Sequence, residues 1–186
     1  MPNYKFSDFN RTWFITCTTY GQWLPGDERG FVSNKFEGET TERKNNQVGT
    51  QYDNGRLELK SAAKKLMLGP QIVLSYPKAV LVRNQFEETA RYRSWTIVAG
   101  SIMANHFHVL VGVPDDPDPD KILGDLKSYA SRKLNAQYGK PQNGTWWTTH
   151  GSKRIIDTEL SFNRCVSYIL SQHAPLLQWI NEKPTS

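Results

Sequence analysis

The apolar run from Ile102 to Val113 (IMANHFHVLVGV) constrains the fold of this chain more than any other segment, because it reads as a strand that carries two histidines. A strand sends alternate side chains to opposite faces, so His106 and His108 project together while Phe107, Val109 and Val111 point the other way. Two imidazoles one strand period apart can share a divalent metal. The same spacing also suits two packing or solvent-facing histidines, so a metal reading requires a third ligand and a reacting group.

The chain has 186 residues, of which 38% are hydrophobic and 22% charged, as in an ordinary globular protein with room for one core. The expected organisation is a single domain over residues 1–186 with a polar insertion at about 31–70. No apolar stretch approaches the roughly 20 residues that cross a bilayer. The opening Met1-Pro2-Asn3-Tyr4-Lys5 lacks the apolar core of a signal peptide, so no membrane partner and a cytoplasmic location are expected. Cys17 and Cys165 lie in apolar segments without metal-ligand spacing and read as buried free thiols.

The net charge of +5 is unevenly placed. Between Lys121 and Arg154 stand Lys121, Lys127, Arg132, Lys133, Lys140, Lys153 and Arg154, opposed by Asp125 alone. Segregation of this kind is the electrostatic footprint expected of a nucleic-acid binder, and a solvated helix face that is basic would show it too.

Along the chain, Arg11–Thr19 reads as a first strand and Tyr20–Gly30 as an ordered loop. Ser33–Arg56 is a long polar excursion, and Leu57–Leu68 has helical composition ended by Gly69-Pro70. Ser75 and Pro77 start a helix that runs to about Tyr92, and Trp95–Met103 forms a second strand. Ala104-Asn105 turns into the histidine strand. Of the aspartates that follow, Asp118 with Pro119 reads as a helix cap rather than part of a metal site. The helix from Pro119 to Tyr138 aligns Leu123, Leu126, Ala130 and Leu134 on one stripe. Trp146–Ile156 is expected as a fourth strand, and Glu159 to about Gln172 as the last main helix. The order matches an α+β, ferredoxin-like antiparallel sheet with helices packed on it and the histidine motif on a central strand.

A basic protein with paired histidines suggests phosphodiester chemistry, in which a metal acts as Lewis acid on a phosphate oxygen. The nucleophile could be water or a side chain, and two helical tyrosines compete for that role. Tyr129 borders the apolar stripe of its helix. Tyr168 falls off the buried face defined by Phe162, Val166 and Ile169, and Gln172 follows one turn on, about 40° around the helix. An amphipathic helix with a boundary Tyr and a surface Gln would show the same pattern.

A strand carrying His-hydrophobic-His followed by a helical Tyr-x-x-x-Gln resembles the single-tyrosine HUH transposases, including the REP-associated tyrosine transposases. The resemblance extends over MANHFHVLVGVP (103–114), LKSYASRKLN (126–135), Trp146-Trp147 and YILSQ (168–172), with the first strand, and excludes the insertion. It implies that His106, His108 and Gln172 hold one Mg2+ or Mn2+ and that Tyr168 is the nucleophile. A free phenol with pKa near 10 attacks poorly at neutral pH, and charge neutralisation at the phosphate eases its attack. The implied product is a 5′-phosphotyrosine with a free 3′-OH. Reversal with another 3′-OH would join strands. Lys133, four residues after Tyr129, has no lone pair when protonated, which argues against Tyr129 as the family-equivalent nucleophile.

The implied partner is single-stranded or hairpin DNA, bound by a monomer or a homodimer. Lys127, Arg132, Lys153 and Arg154 are candidates for phosphate contact, and Trp146 or Trp147 for stacking on unpaired bases. Adjacent strand residues face opposite ways, so at most one of the two tryptophans is expected to point to the DNA and the other to the core. Two alternatives remain: a domesticated, non-catalytic DNA-binding protein, and a metal-dependent phosphodiesterase that uses water.

Overall fold

The strand alternation read from the sequence organises the whole molecule. In a computed structural model, which describes residues 4–24 and 57–183, five antiparallel strands form one sheet. They are β1 (Arg11–Thr18), β2 (Thr96–Ile102), β3 (His106–Val113), β4 (Ser152–Ile156) and β5 (Leu177–Ile180). Their order is β4-β1-β3-β2-β5. The helices are α1 (Leu57–Lys65), α2 (Tyr76–Tyr92), α3 (Pro119–Tyr138) and α4 (Glu159–Leu170). From β1 to β4, with α2 and α3 as the connecting helices, the path and strand order are those of the ferredoxin-like α+β fold. Then α4 crosses to the other face of the sheet, and β5 returns beside β2.

Each face of the sheet has its own core. Ile15, Cys17, Phe107, Val109 and Val111 pack with Val82 and Phe86 of α2 and with Leu126 and Leu134 of α3. Val98, Ala99, Leu110 and Ile156 pack against Phe162, Cys165, Val166 and Ile169 of α4. A register shift between Ile97 and Ala99 lets the neighbours Val98 and Ala99 both join the α4 side. Gly100 is required by a close approach, since a Cβ there would stand 2.2 Å from the Trp179 ring.

The caps explain the helix limits. Asp118 accepts a hydrogen bond from Asp120 N at 2.8 Å with Pro119 following, and Thr158 accepts from Ser161 N at 3.2 Å. Two other aspartates of that segment are engaged separately, Asp116 with Arg11 and Asp120 with Lys153.

Three expectations change. The fourth strand begins at Ser152 rather than Trp146; before it, only an isolated Thr19–Trp147 bridge joins the sheet. The last helix ends at Leu170, so Gln172 lies beyond its C-cap, Ser171. Strand β5 was not anticipated: four residues behind Pro175 carry too little alternation to read alone. Within the expected insertion, α1 ends at Lys65 and buries none of its residues. The Ser33–Arg56 excursion, and the loop from Pro25 to Gly30, lie outside the described residues.

Candidate functional site

β3 sends Phe107 into the α2/α3 core and His106 and His108 to the face covered by α4. The two imidazoles stand 4.8 Å apart, centroid to centroid, at 78°. β1 is the neighbouring strand and pairs Thr16 with His108 and Thr18 with His106. The ring of Phe14, also on β1, stacks on His108 at 5.5 Å and 19°. Tyr168 of α4 stands edge-on to His108 at 5.4 Å and to Phe14 at 5.8 Å. The structure therefore brings His106, His108 and Tyr168 together and adds Phe14. Alternation along Arg11–Thr18 places Phe14 and Thr16 on one face, but only the β1–β3 register identifies it as the histidine face.

The imidazoles are held by their Nδ1 atoms. His106 Nδ1 lies 2.6 Å from Asn105 Oδ1, an amide oxygen that can only accept, so this nitrogen donates and the lone pair sits on Nε2. His108 Nδ1 lies 2.6 Å from Thr16 Oγ1; when Nδ1–H donates there, Nε2 again carries the lone pair. Burial, and then the neighbouring His106, push the His108 pKa down to about 4, so this ring is neutral at physiological pH.

These features suit a metal site. A ligating histidine that donates its other N–H to an oxygen is the usual way a protein fixes ring orientation. Gln172 takes another arrangement: its Nε2 donates to the Tyr168 carbonyl oxygen at 3.0 Å, beside Ser171 Oγ at 3.1 Å. It thereby satisfies a carbonyl at the open end of α4, and its Oε1 is the end that can serve a metal. Two imidazoles and an amide oxygen form a donor set compatible with a small divalent cation. Among the described residues, no group of three or more His, Cys, Asp or Glu side chains is disposed for a metal. β5 braces the same helix end, where Gln178 Nε2 donates to Ile169 O at 3.0 Å.

The basic candidates divide between the two faces. Arg154, opposite Phe14 in the β1–β4 register, has its guanidinium 5.4 Å from that ring and lies on the Tyr168 side. Lys153 points the other way, to Asp120 at the start of α3. Lys127 Nζ donates to Thr148 O at 2.6 Å and Thr149 O at 2.9 Å, which tethers the segment that leads into β4. Arg132 lies over Tyr129 at 4.9 Å, and both belong to α3, across the sheet from the histidines. Arg164, one turn before Tyr168, was not singled out from the sequence because it lies outside the basic window. It lines a cavity with Tyr168 and Arg154.

The tryptophan expectation is corrected. Trp146 and Trp147 are both buried, at 5% and 2% exposure. Trp146 Nε1 donates to Asn135 Oδ1 at 2.8 Å, and Trp147 stands edge-on to Phe107 at 5.3 Å. Their segment is not a continuous strand, so alternation does not separate the two rings and both enter the α2/α3 core. Neither presents a face to a base. Trp23, 44% exposed, lines a cleft of about 1190 Å3 beside Thr16, Thr18 and His150, whose wall the buried Trp147 also joins.

Residues 72–172 match the sequence profile of the family described as IS200-like transposases. No curated protein sequence matches the chain. Among solved structures, one similar chain is the REP-associated tyrosine transposase bound to a REP hairpin. It has 13% identity and a TM-score of 0.48, over 91% of this chain and 68% of that one. Another is a transposase candidate from Deinococcus radiodurans R1, with 14% identity and a TM-score of 0.43, over 92% of this chain and 93% of that one. The sequence match spans more than half of the chain and contains His106, His108, Tyr168 and Gln172; the chain belongs to the IS200-like transposase family.

Proposed function

We propose that this chain is a single HUH-type domain that cuts and rejoins single-stranded DNA beside hairpins through a covalent bond to Tyr168. The observation that carries this reading is the approach of the Tyr168 ring to His108, 5.4 Å between centroids, across the face that also holds His106. His106, His108 and the Gln172 Oε1 would hold Mg2+ or Mn2+. When bound, the cation would neutralise charge on the phosphate under attack and polarise its bond to the leaving oxygen.

The remaining chemistry belongs to the chain. The phenol oxygen of Tyr168 forms a bond to phosphorus as the bond from phosphorus to the 3′ oxygen breaks. The phenol gives up its proton and the departing 3′ oxygen takes one, so the step is neutral overall and conserves bond energy. Attack by a different 3′-OH reverses it and joins strands. Phe14 limits the positions of the Tyr168 and His108 rings, and Tyr168 remains half-exposed, open to a strand from solvent. The cleft beside Thr16 and Thr18 adjoins the histidine strand and offers a path for unpaired nucleotides, with Trp23 as the stacking ring. No described helix is long and apolar enough to cross a membrane, in keeping with action on DNA in the cytoplasm.

The test is incubation with end-labelled, hairpin-bearing single-stranded DNA and Mn2+. A covalent protein–DNA adduct that disappears in Tyr168→Phe is the expected result. Cleavage with no adduct would indicate a hydrolase that uses water, and tight binding with no cleavage a non-catalytic binder. His106→Ala should remove cleavage and spare most of the affinity, which rests on phosphate contacts.

A further inference from the structure

One turn before the nucleophile position, α4 carries Arg164, on the same side of the helix as Tyr168. Together with Phe14, Ser152, Arg154, Cys165 and Tyr168 it lines a cavity of about 510 Å3 between β4 and α4. Among the described residues, no carboxylate lines this cavity and no ion pair engages Arg154 or Arg164. The contrast with Lys153, paired to Asp120, and Lys127, spent on two carbonyls, is direct. Burial pushes the Cys165 pKa up to about 12 against the pull of the Arg154 charge and its hydrogen bond to the thiol, so Arg154 has a neutral neighbour there and no counter-charge.

Its position is equally specific. β4 and β3 flank β1, and Arg154 lies two strands across and two residues along from His108, roughly 12 Å away. One phosphate cannot occupy both places, but successive phosphates of a single strand can, since a strand carries a charge about every 3.4 Å of its length in duplex form. Arginine suits such a contact because its planar fork matches phosphate oxygens.

We propose that Arg154 and Arg164 form a phosphate subsite that grips the DNA strand a few linkages from the scissile phosphate and sets which linkage lies against Tyr168. This deepens the proposed function and rests on Tyr168 being the nucleophile. Arg164 enters as a positioning residue, and Arg154 acts with it while its guanidinium lies over the Phe14 ring.

The experiment uses wild type, Arg154→Gln, Arg164→Gln and Arg164→Lys, with hairpin oligonucleotides that carry one neutral methylphosphonate at each linkage near the cut site in turn. Adduct rate and equilibrium binding are both read. Each Gln variant should lose about tenfold to a hundredfold on the unmodified strand, as expected for a charge-assisted contact. Arg164→Lys, which keeps the charge and loses the fork, should recover part of that loss. At one linkage the methylphosphonate should weaken wild type by a similar factor, and the Gln variants should then lose nothing more. Wild-type rates in the Gln variants would overturn the subsite, as would losses that multiply at every linkage. A wild type that binds but forms no adduct would instead sink the role of Tyr168, while the binding series still decides the subsite.

Discussion

The two faces of the sheet are built from the same strands and put to opposite use. On the α2/α3 face, Phe107, Val109 and Val111 close a core with both tryptophans of the 146–147 pair, and the nearby lysines are spent on carbonyls or on Asp120. On the α4 face, the alternate positions carry Phe14, Thr16, His106, His108 and Arg154, beneath a half-exposed Tyr168. Both faces carry a core, and the same alternation places on the α4 face alone the side chains proposed for the chemistry. The lysines of the basic window at 127 and 153 are engaged within the fold, whereas Arg154 has no ion-pair partner among the described residues.

Substitutions on the two faces should fail in different ways. The largest effect is expected from Tyr168→Phe, which should reduce the covalent adduct to background while thermal unfolding moves by less than about 0.5 kcal/mol. An adduct that persists would remove the nucleophile from this face. Phe107→Ala, one strand position away from each histidine and fully buried, should cost about 3–5 kcal/mol in denaturant unfolding. A loss below about 1 kcal/mol would mean that the α2/α3 face is not the tight core described.

The pH dependence of stability sharpens the same division. His108 holds its proton less well folded than unfolded, so the unfolded chain binds more protons once the pH drops below about 6.5. Its contribution is complete above that pH and is lost as the pH falls towards 4, by up to about 3 kcal/mol. Urea titrations should show a shallower acid slope in His108→Gln; an unchanged slope would mean that the buried imidazole does not control it. Thr16→Val should weaken Mn2+ binding by about tenfold to a hundredfold in calorimetry, because it removes the oxygen that orients His108. The smallest effect is expected from Lys153→Gln, which should change DNA affinity by less than about twofold, since its partner lies across the sheet from the site. A loss equal to that of Arg154→Gln would erase the distinction between the faces.

Much of this was legible in the chain itself. The alternation around His106-Phe107-His108, the Asp118-Pro119 cap, the Leu123–Leu134 stripe and the buried Phe162, Val166 and Ile169 all rest on periods set by local backbone geometry. The Trp146-Trp147 expectation failed because alternation holds only inside a continuous strand, and that segment makes a single bridge. Gln172 was placed on a helix that stops two residues earlier, where its amide caps the Tyr168 carbonyl. Arg164 escaped notice because charge counted along the sequence finds windows, whereas a cavity collects residues from β4 and α4.

Which side chains share a face of each strand and helix is written in the chain, because the periods of 2 and 3.6 residues follow from the backbone. Which faces meet is a property of the assembled fold. The β4-β1-β3 order and its register set Phe14 and Thr16 against His108 and Arg154 against Phe14. The crossing of α4 to that face then brought Tyr168 over the histidines. Pairing between strands that lie about ninety residues apart depends on how the whole core packs, and no local period encodes it.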